Sequence, residues 1–258
     1  MTWIDAEDEL RIDELVMPII GIASNLVRHN SGVHRHTKGQ LLFAEKGTMI
    51  ITLGRKVSIL PPQRVAWIPP NLEHSVSLTE VVSYRSIYID RSVLDQCPHS
   101  IFPLSPIIWD APFLLKSILE TIALSDWGSD WSQGERGGNL LNVLWDELKF
   151  ASRENMHLIY PVDSRLTEIG FNQLPPSLDQ LSKVVGASEK TITRIFQKET
   201  GLGYQAWRQQ WRLLKSIELL SIQKLKFIDI ALELGFSSDS AFSQFFKRMT
   251  GKSPSGYL

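Results

Sequence analysis

Between about residues 15 and 90, apolar residues come in short runs rich in β-branched and aromatic side chains, interrupted every few positions by turn signals. Residues 41–45, 48–53, 57–60, 65–68, 75–78 and 82–89 are predicted strands, punctuated by Gly39, Gly47, Gly54, Pro61-Pro62 and Pro69-Pro70. Many strands at even spacing, with no helices between them, point to a small barrel or jelly roll. After Pro103-Leu104-Ser105-Pro106 the pattern takes on a helical period. Helices are predicted over 112–125 and 135–155, separated at Gly128, with Leu140, Leu141, Leu144, Trp145 and Leu148 on one apolar stripe. That stripe needs a partner, either the barrel's outer wall or the same helices of a second subunit. The polar stretch 157–164 reads as a link to the last third of the chain.

There one pattern is written twice. Shifting the segment 181–201 by 50 residues lands Ser188 on Ser238, Ile192 on Phe242, Ile195 on Phe245, Phe196 on Phe246, Thr200 on Thr250 and Gly201 on Gly251. Each copy has a short apolar helix (Leu181, Val184, Val185; then Ile228, Ala231, Leu232, Leu234), a glycine, a serine able to cap the next helix, and a second amphipathic helix. These are the parts of a helix-turn-helix. Ser177 and Gln180 predict a capping box ahead of the first unit. Between the units, Tyr204–Ser221 puts Trp207, Trp211, Leu214, Ile217 and Leu220 on one face, a predicted connecting helix. Phe196, Phe242, Phe245, Phe246, Leu181 and Trp207 are expected as core.

The net charge of −1 over 258 residues is unusual for a nucleic-acid binder until it is divided along the chain. Residues 161–258 carry 13 Lys and Arg against 9 Asp and Glu, whereas residues 1–160 carry 14 against 19. The positive character sits with the repeat, and it is modest, so positioned phosphate contacts rather than a broad field are expected to supply affinity. The first 15 residues are acidic, and no apolar run reaches the ~20 residues of a membrane span. A cytoplasmic protein is expected. The single cysteine, Cys97, forms no internal disulfide and reads as a packing residue.

The stretch from Gly235 through Phe236, Ser238, Phe242, Phe245, Phe246, Gly251 and Pro254 to Tyr257 resembles the signature of the AraC/XylS family of transcriptional regulators, and the resemblance covers roughly 162–258. It implies that exposed positions of the two second helices enter the major groove of double-stranded DNA. In the first unit those are Lys190, Thr193 and Arg194, with Thr191 and Gln197 nearby; in the second they are Asp239, Ser240 and Gln244, with Lys247. Arg194 can bond guanine O6 and N7, Gln244 suits adenine, and Asp239 can accept from cytosine N4. Relatives commonly carry arginine at the place of Gln244, so the first unit is expected to dominate specificity.

The N-terminal half resembles the cupin-like sensor barrel of such regulators. His34-Arg35-His36, Gln40 and the later His74 are similar to the cupin motifs, in which an H-x-H pair, a carboxylate and a distant histidine bind metal; here Gln40 stands at the carboxylate position. His34 and His36 alternate by two, so both face one side of a strand and can share an ion with His74. Three readings stay open: histidines bonded within the barrel, an effector pocket without metal, or a divalent metal site. His34, His36, Gln40, Trp67, His74, Tyr84 and Tyr88 are the candidate pocket residues, with Arg35 beside them. Asn71 is placed to adopt a left-handed turn.

The fold class expected is α+β multidomain: a cupin-like barrel sensor at 1–104, a helical dimerisation or linker region at 105–161, and an all-α tandem helix-turn-helix domain at 162–258. The function expected is a sequence-specific transcriptional regulator with no catalytic residues. Its partners would be DNA, a small-molecule effector, RNA polymerase and a second copy of the chain. A metal-dependent cupin enzyme tethered to a DNA-binding domain, and a regulator whose barrel only dimerises, are the alternatives.

Overall fold

The structure is a computed structural model that describes residues 11–78, 80–97, 101–126, 129, 131, 134–222 and 225–257; Gly128, expected to separate two helices, lies outside them. Among the described residues the strands are β1 (Ile19–Leu26), β2 (His29–Asn30), β3 (Gly39–Ala44), β4 (Met49–Leu53), β5 (Lys56–Leu60), β6 (Arg64–Ile68), β7 (Ser75–Leu78), β8 (Val82–Ile89), β9 (Ile107–Asp110) and β10 (His157–Ile159). The helices are α1 (Arg91–Leu94), α2 (Phe113–Ala123), α3 (Gly134–Phe150), α4 (Leu178–Val185), α5 (Glu189–Thr200), α6 (Tyr204–Ser221), α7 (Phe227–Glu233) and α8 (Asp239–Thr250). The chain divides into two compact units, residues 1–53 with 60–155, and residues 54–59 with 156–258.

In the first unit an antiparallel sheet runs β1-β8-β3-β6-β9, and β4, β7 and β2 lie side by side in a second one. Register separates the faces of the first sheet. Leu41 pairs with Ile87 and Trp67, while its neighbour Gln40 pairs with Tyr88 and Ile68. The odd set (Leu41, Phe43, Val65, Trp67, Ile87, Ile89) packs against Leu115, Ile118, Leu119 and Ile122 of α2 and Leu141, Leu144 and Leu148 of α3. The α3 stripe is therefore spent inside the chain, with Leu140 and Trp145 against the same core. Of the two partners the sequence left open for it, the sheet is the one used.

Helix α2 approaches this sheet where a side chain is missing. A Cβ placed on Gly21 would stand 2.1 Å from the Ile122 carbonyl oxygen, so only glycine lets strand and helix meet there. Arg85, buried on the same face, donates to Glu120 of α2 at 3.0 Å and lies 3.6 Å from Glu45. A charge removed from water this far requires such partners.

Besides β1, β2 and α1, for which the sequence reading gave no individual range, three regions depart from it. Residues 107–110, assigned no strand, form β9 at the sheet edge. The second predicted helix ends at Phe150 rather than 155, because 152–154 turn extended: Asp110 N–H donates to the Ser152 carbonyl and Glu154 N–H to the Ile108 carbonyl, both at 2.9 Å. The expected linker at 157–164 opens with a strand, β10, paired with β5 through His157 and Ser58, Leu158 and Val57, and Ile159 and Lys56. The helical region 105–161 is accordingly divided. Helices α2 and α3 belong to the first unit, and the second unit adds a two-strand ladder to its helices.

The rest of the second unit is helical and its ends are set locally. The Ser177 hydroxyl accepts from Gln180 N–H while the Gln180 side chain accepts from Ser177 N–H, the predicted capping box. Helix α6 coincides with the predicted connector. It packs on α5 and α7, and Trp207 and Trp211 are buried along it with Leu214 and Ile217. Their polar edges are also used: Trp207 Nε1 donates to the Ile159 carbonyl at 2.7 Å, and Tyr204 Oη to the Pro176 carbonyl at 2.6 Å. Lys215 and Glu218, which no stripe predicted to be buried, form a 2.8 Å ion pair inside.

Candidate DNA-reading helices and barrel site

Two twelve-residue helices, α5 and α8, begin and end 50 residues apart. Each starts at a serine whose hydroxyl accepts a backbone N–H of the first turn, from Thr191 at 3.2 Å and from Ala241 at 3.1 Å. Each ends at a glycine in the left-handed region, Gly201 at φ 79° and Gly251 at φ 76°, where a Cβ would be strained. The turn between α4 and α5 is made by Gly186 at φ 63°, and that between α7 and α8 by Gly235 at φ 72°. Ile192 and Phe196, with Phe242, Phe245 and Phe246, bury one face of each helix. Arg212 of α6 lies 4.8 Å over the Phe236 ring and ties the second unit to the connector.

The opposite faces are open but chemically unlike. On α5, Lys190, Arg194 and Gln197 are exposed and Thr193 is half-buried, and with Leu178, Glu189 and Lys198 they line one open groove. Thr191 and Gln197 have other work: the Thr191 hydroxyl sits 2.9 Å from Ser188 in the cap, and Gln197 Nε2 donates to the Gly201 carbonyl at 2.9 Å. On α8, Asp239, Ser240, Gln244 and Lys247 are exposed. The Asp239 carboxylate accepts from Ser240 N–H at 2.7 Å, partly occupying it at the helix start. The repeat also aligns Lys198 with Arg248, both exposed. This cationic pair was not among the expected readers, although the 50-residue offset contained the signal.

In the barrel, β3 and β8 place four polar groups together on the face away from α2 and α3. Gln40 Nε2 lies 2.9 Å from Ser86 Oγ, 3.0 Å from Tyr88 Oη and 3.3 Å from Tyr84 Oη, and Gln40 Oε1 is 3.3 Å from His36 Nε2. Burial pushes both phenols up, Tyr88 strongly, so they remain protonated donors. Ser86 is the member the sequence did not single out; its place two residues from Tyr84 and Tyr88 on one strand was the available signal.

The three histidines meet beside this cluster. His34 and His74 exchange backbone N–H to carbonyl bonds at 2.9 Å each, and their rings stand 4.3 Å apart, with His36 to His74 at 5.0 Å. Burial lowers the pKa of His36, and that of His74 to about 4, so both rings are neutral near pH 7. Asn71 adopts φ 61°, the left-handed turn expected of it just before His74. Two expected pocket residues lie elsewhere. Trp67 points to the opposite face of the sheet, where Nε1 donates to the Pro103 carbonyl at 2.9 Å and the ring packs on Phe102. Its odd register with Leu41, the alternation intrinsic to a strand, is the reason. Arg35, between the two histidines, is exposed; the segment lies between β2 and β3 rather than on the strand expected there, with only His34 bridged to His74. Cys97 is buried, and its thiol is raised to about 11 by burial, which leaves it unreactive.

A strand-built ligand-binding domain followed by two helix-turn-helix units defines a class: DNA-binding transcriptional regulators with an N-terminal sensor. Residues 17–155 match the model of the AraC-like ligand binding domain, and residues 181–258 match a helix-turn-helix domain. The chain belongs to the AraC family of transcriptional regulators. It is 30% identical over 243 residues to the transcriptional regulator NimR of Escherichia coli, covering 88% of this chain and 82% of that one. It is also 30% identical over 228 residues to the thermoregulatory protein LcrF of Yersinia pestis, covering 84% and 79%. Among solved structures, ToxT from Vibrio cholerae aligns with 93% of this chain and 97% of its own at 13% identity and a TM-score of 0.39. No helix among the described residues is long and apolar enough to cross a membrane.

Proposed function

We propose that this regulator reads its DNA site unequally, with α5 carrying most of the base discrimination and α8 mainly adding grip, and that a small molecule held in the barrel changes its preference among sites. One observation carries the reading. The exposed face of α5 offers Lys190, Arg194 and Lys198 at successive turns, whereas the equivalent places on α8 are Ser240, Gln244 and Arg248. Two positive side chains near the start of α5 have neutral counterparts on α8, and positive groups supply phosphate affinity and guanine readout. Thr191, Thr193, Gln197, Asp239 and Lys247 complete the contact surface.

The barrel cluster supports the sensor half. Gln40, Tyr84, Ser86 and Tyr88 are donors and acceptors gathered beside buried Ile20 and Ile22, polar groups among apolar ones as in a small-molecule site. A ligand that binds them differently in two states of the protein shifts the balance between those states. The regulator would work in the cytoplasm as a homodimer, with RNA polymerase as its further partner and no catalytic step of its own.

Selection of binding sites from random duplex DNA by the full chain tests the DNA half; one enriched motif is expected, and a pool without preference overturns it. Thermal-shift screening of small molecules tests the sensor half, because a ligand of the folded state raises its apparent stability. The expected ligand stabilises the wild type and does so far less in Gln40→Leu.

A further inference from the structure

We propose that Glu199 is a positioning residue for the DNA-reading helix α5, fastening it to the segment that arrives from β10; the proposal rests on the reading that α5 contacts bases. Backbone donors along that segment change partners within a few residues. Tyr160 N–H, just past the β10–β5 ladder, donates to the Arg55 carbonyl at 2.9 Å. Pro161 has no N–H to give. Val162 N–H and Asp163 N–H then both donate to Glu199 Oε2, at 2.7 and 3.2 Å. From Tyr160 to Val162 the chain spans at most about 7 Å, so there is little slack between strand and helix.

The contact breaks a local preference, and it does so on one unit. Glu199 is the next-to-last residue of α5, where a negative charge opposes the helix dipole. Bonds from two backbone donors to the carboxylate offset that cost. The 50-residue offset puts Met249 at the same place on α8, half-buried like Glu199 but without an oxygen to offer. The same segment also grips the core beneath α5. The Ile159 carbonyl accepts from Trp207 Nε1 at 2.7 Å, the Tyr160 ring stands edge-on to Trp207 at 5.3 Å, and Trp207 lies 5.1 Å from Phe196 of α5. Helix α5 is thus held at its end by Glu199 and on its buried face by Phe196. Movement of β5 and β10 reaches the helix that carries Arg194, and α8 has no carboxylate at the matching place.

Full-length Glu199→Gln and Glu199→Met are compared with the wild type by fluorescence anisotropy, on the duplex enriched by selection and on an unrelated duplex at the same salt concentration. Gln keeps an acceptor oxygen while losing the charge, and Met copies the residue of α8. The ratio of the two affinities is expected to stay within about twofold of wild type in Glu199→Gln and to fall about fivefold in Glu199→Met. Hydrogen exchange on the same samples should quicken at the Val162 and Asp163 amides in Glu199→Met while the Tyr160 amide keeps its protection. If Glu199→Met does not fold, Glu199→Ala takes its place. An unchanged ratio in that variant, an equal fall in Glu199→Gln, or unchanged exchange at Val162 and Asp163 overturns the proposal. Arg194→Ala in the same assay tells the two failures apart. A ratio that collapses there but holds in Glu199→Met refutes the positioning role alone, whereas a ratio unmoved by Arg194→Ala refutes the reading of α5 on which it rests.

Discussion

Arg194 and Gln244 occupy the same place on two helices of equal length, each six positions after its capping serine, and both are exposed. The frame repeats while the side chain at the reading position does not, so the two units make different demands on DNA. Replacing Arg194 by Ala is expected to cost about 1–3 kcal/mol of discrimination at the base it reads, and Gln244→Ala less. Gln244→Arg should tighten binding and steepen its salt dependence by about one unit of slope. Fluorescence anisotropy against salt concentration measures all three; equal losses for the two alanine variants would refute the asymmetry.

Gly39 lies under the Trp67 ring, where an added Cβ would stand 2.0 Å from Cη2 and 3.1 Å from Leu94 Cδ1. The ring cannot easily swing away, since Nε1 is held by the Pro103 carbonyl. Gly39→Ala is expected to destabilise the first unit by about 1–3 kcal/mol through overpacking, read as a lower urea midpoint. Shrinking the ring in Gly39→Ala with Trp67→Leu should recover part of that loss, a coupling that two unrelated defects would not show.

Removing Glu120 takes from the buried Arg85 its 3.0 Å carboxylate partner, while Glu45 stands at 3.6 Å. Glu120→Ala is expected to cost about 3 kcal/mol, whereas Arg85→Met with Glu120→Leu should come close to wild-type stability, because the charge and its partner leave together. Thermal unfolding of the two variants is the comparison; equal destabilisation would contradict it.

His157 pairs with Ser58 at the β10–β5 ladder, where burial, helped by the nearby Lys56, lowers its pKa from 6.5 to about 4. The unfolded chain takes up this proton at the higher pH, so the stability contributed by the neutral ring is full above about pH 6.5 and falls as pH drops toward 4. His157→Gln should flatten the acid limb of the stability curve in that window. An unchanged limb would show that other groups carry it.

The six barrel strands expected near residues 41–89 all form, as do the capped and glycine-terminated helices of the repeat. They were legible because hydrophobic period, capping serines and left-handed glycines act within a few residues of one another. Strands β9 and β10 were not, because each is short and its evidence lies in a distant partner: Ile107 pairs with Trp67, and His157 with Ser58. The candidate sites divide the same way. Arg194 and Gln244 were found from the 50-residue offset, and His34 and His36 from a two-residue alternation, whereas Ser86, spaced by two from Tyr84 and Tyr88, is joined to Gln40 by the pairing of β3 with β8.

The sequence by itself determined that this protein carries two helix-turn-helix units with unlike exposed faces, since both features follow from side chains spaced along single helices. Tertiary structure alone decided which face of β6 Trp67 occupies, that the α3 stripe is covered by the sheet, and that three histidines from two distant segments share one point. Strand register and the long-range pairing of His34 with His74 set those outcomes. No local pattern encodes them, because a shift of register by one residue would send every side chain on the strand to the other face.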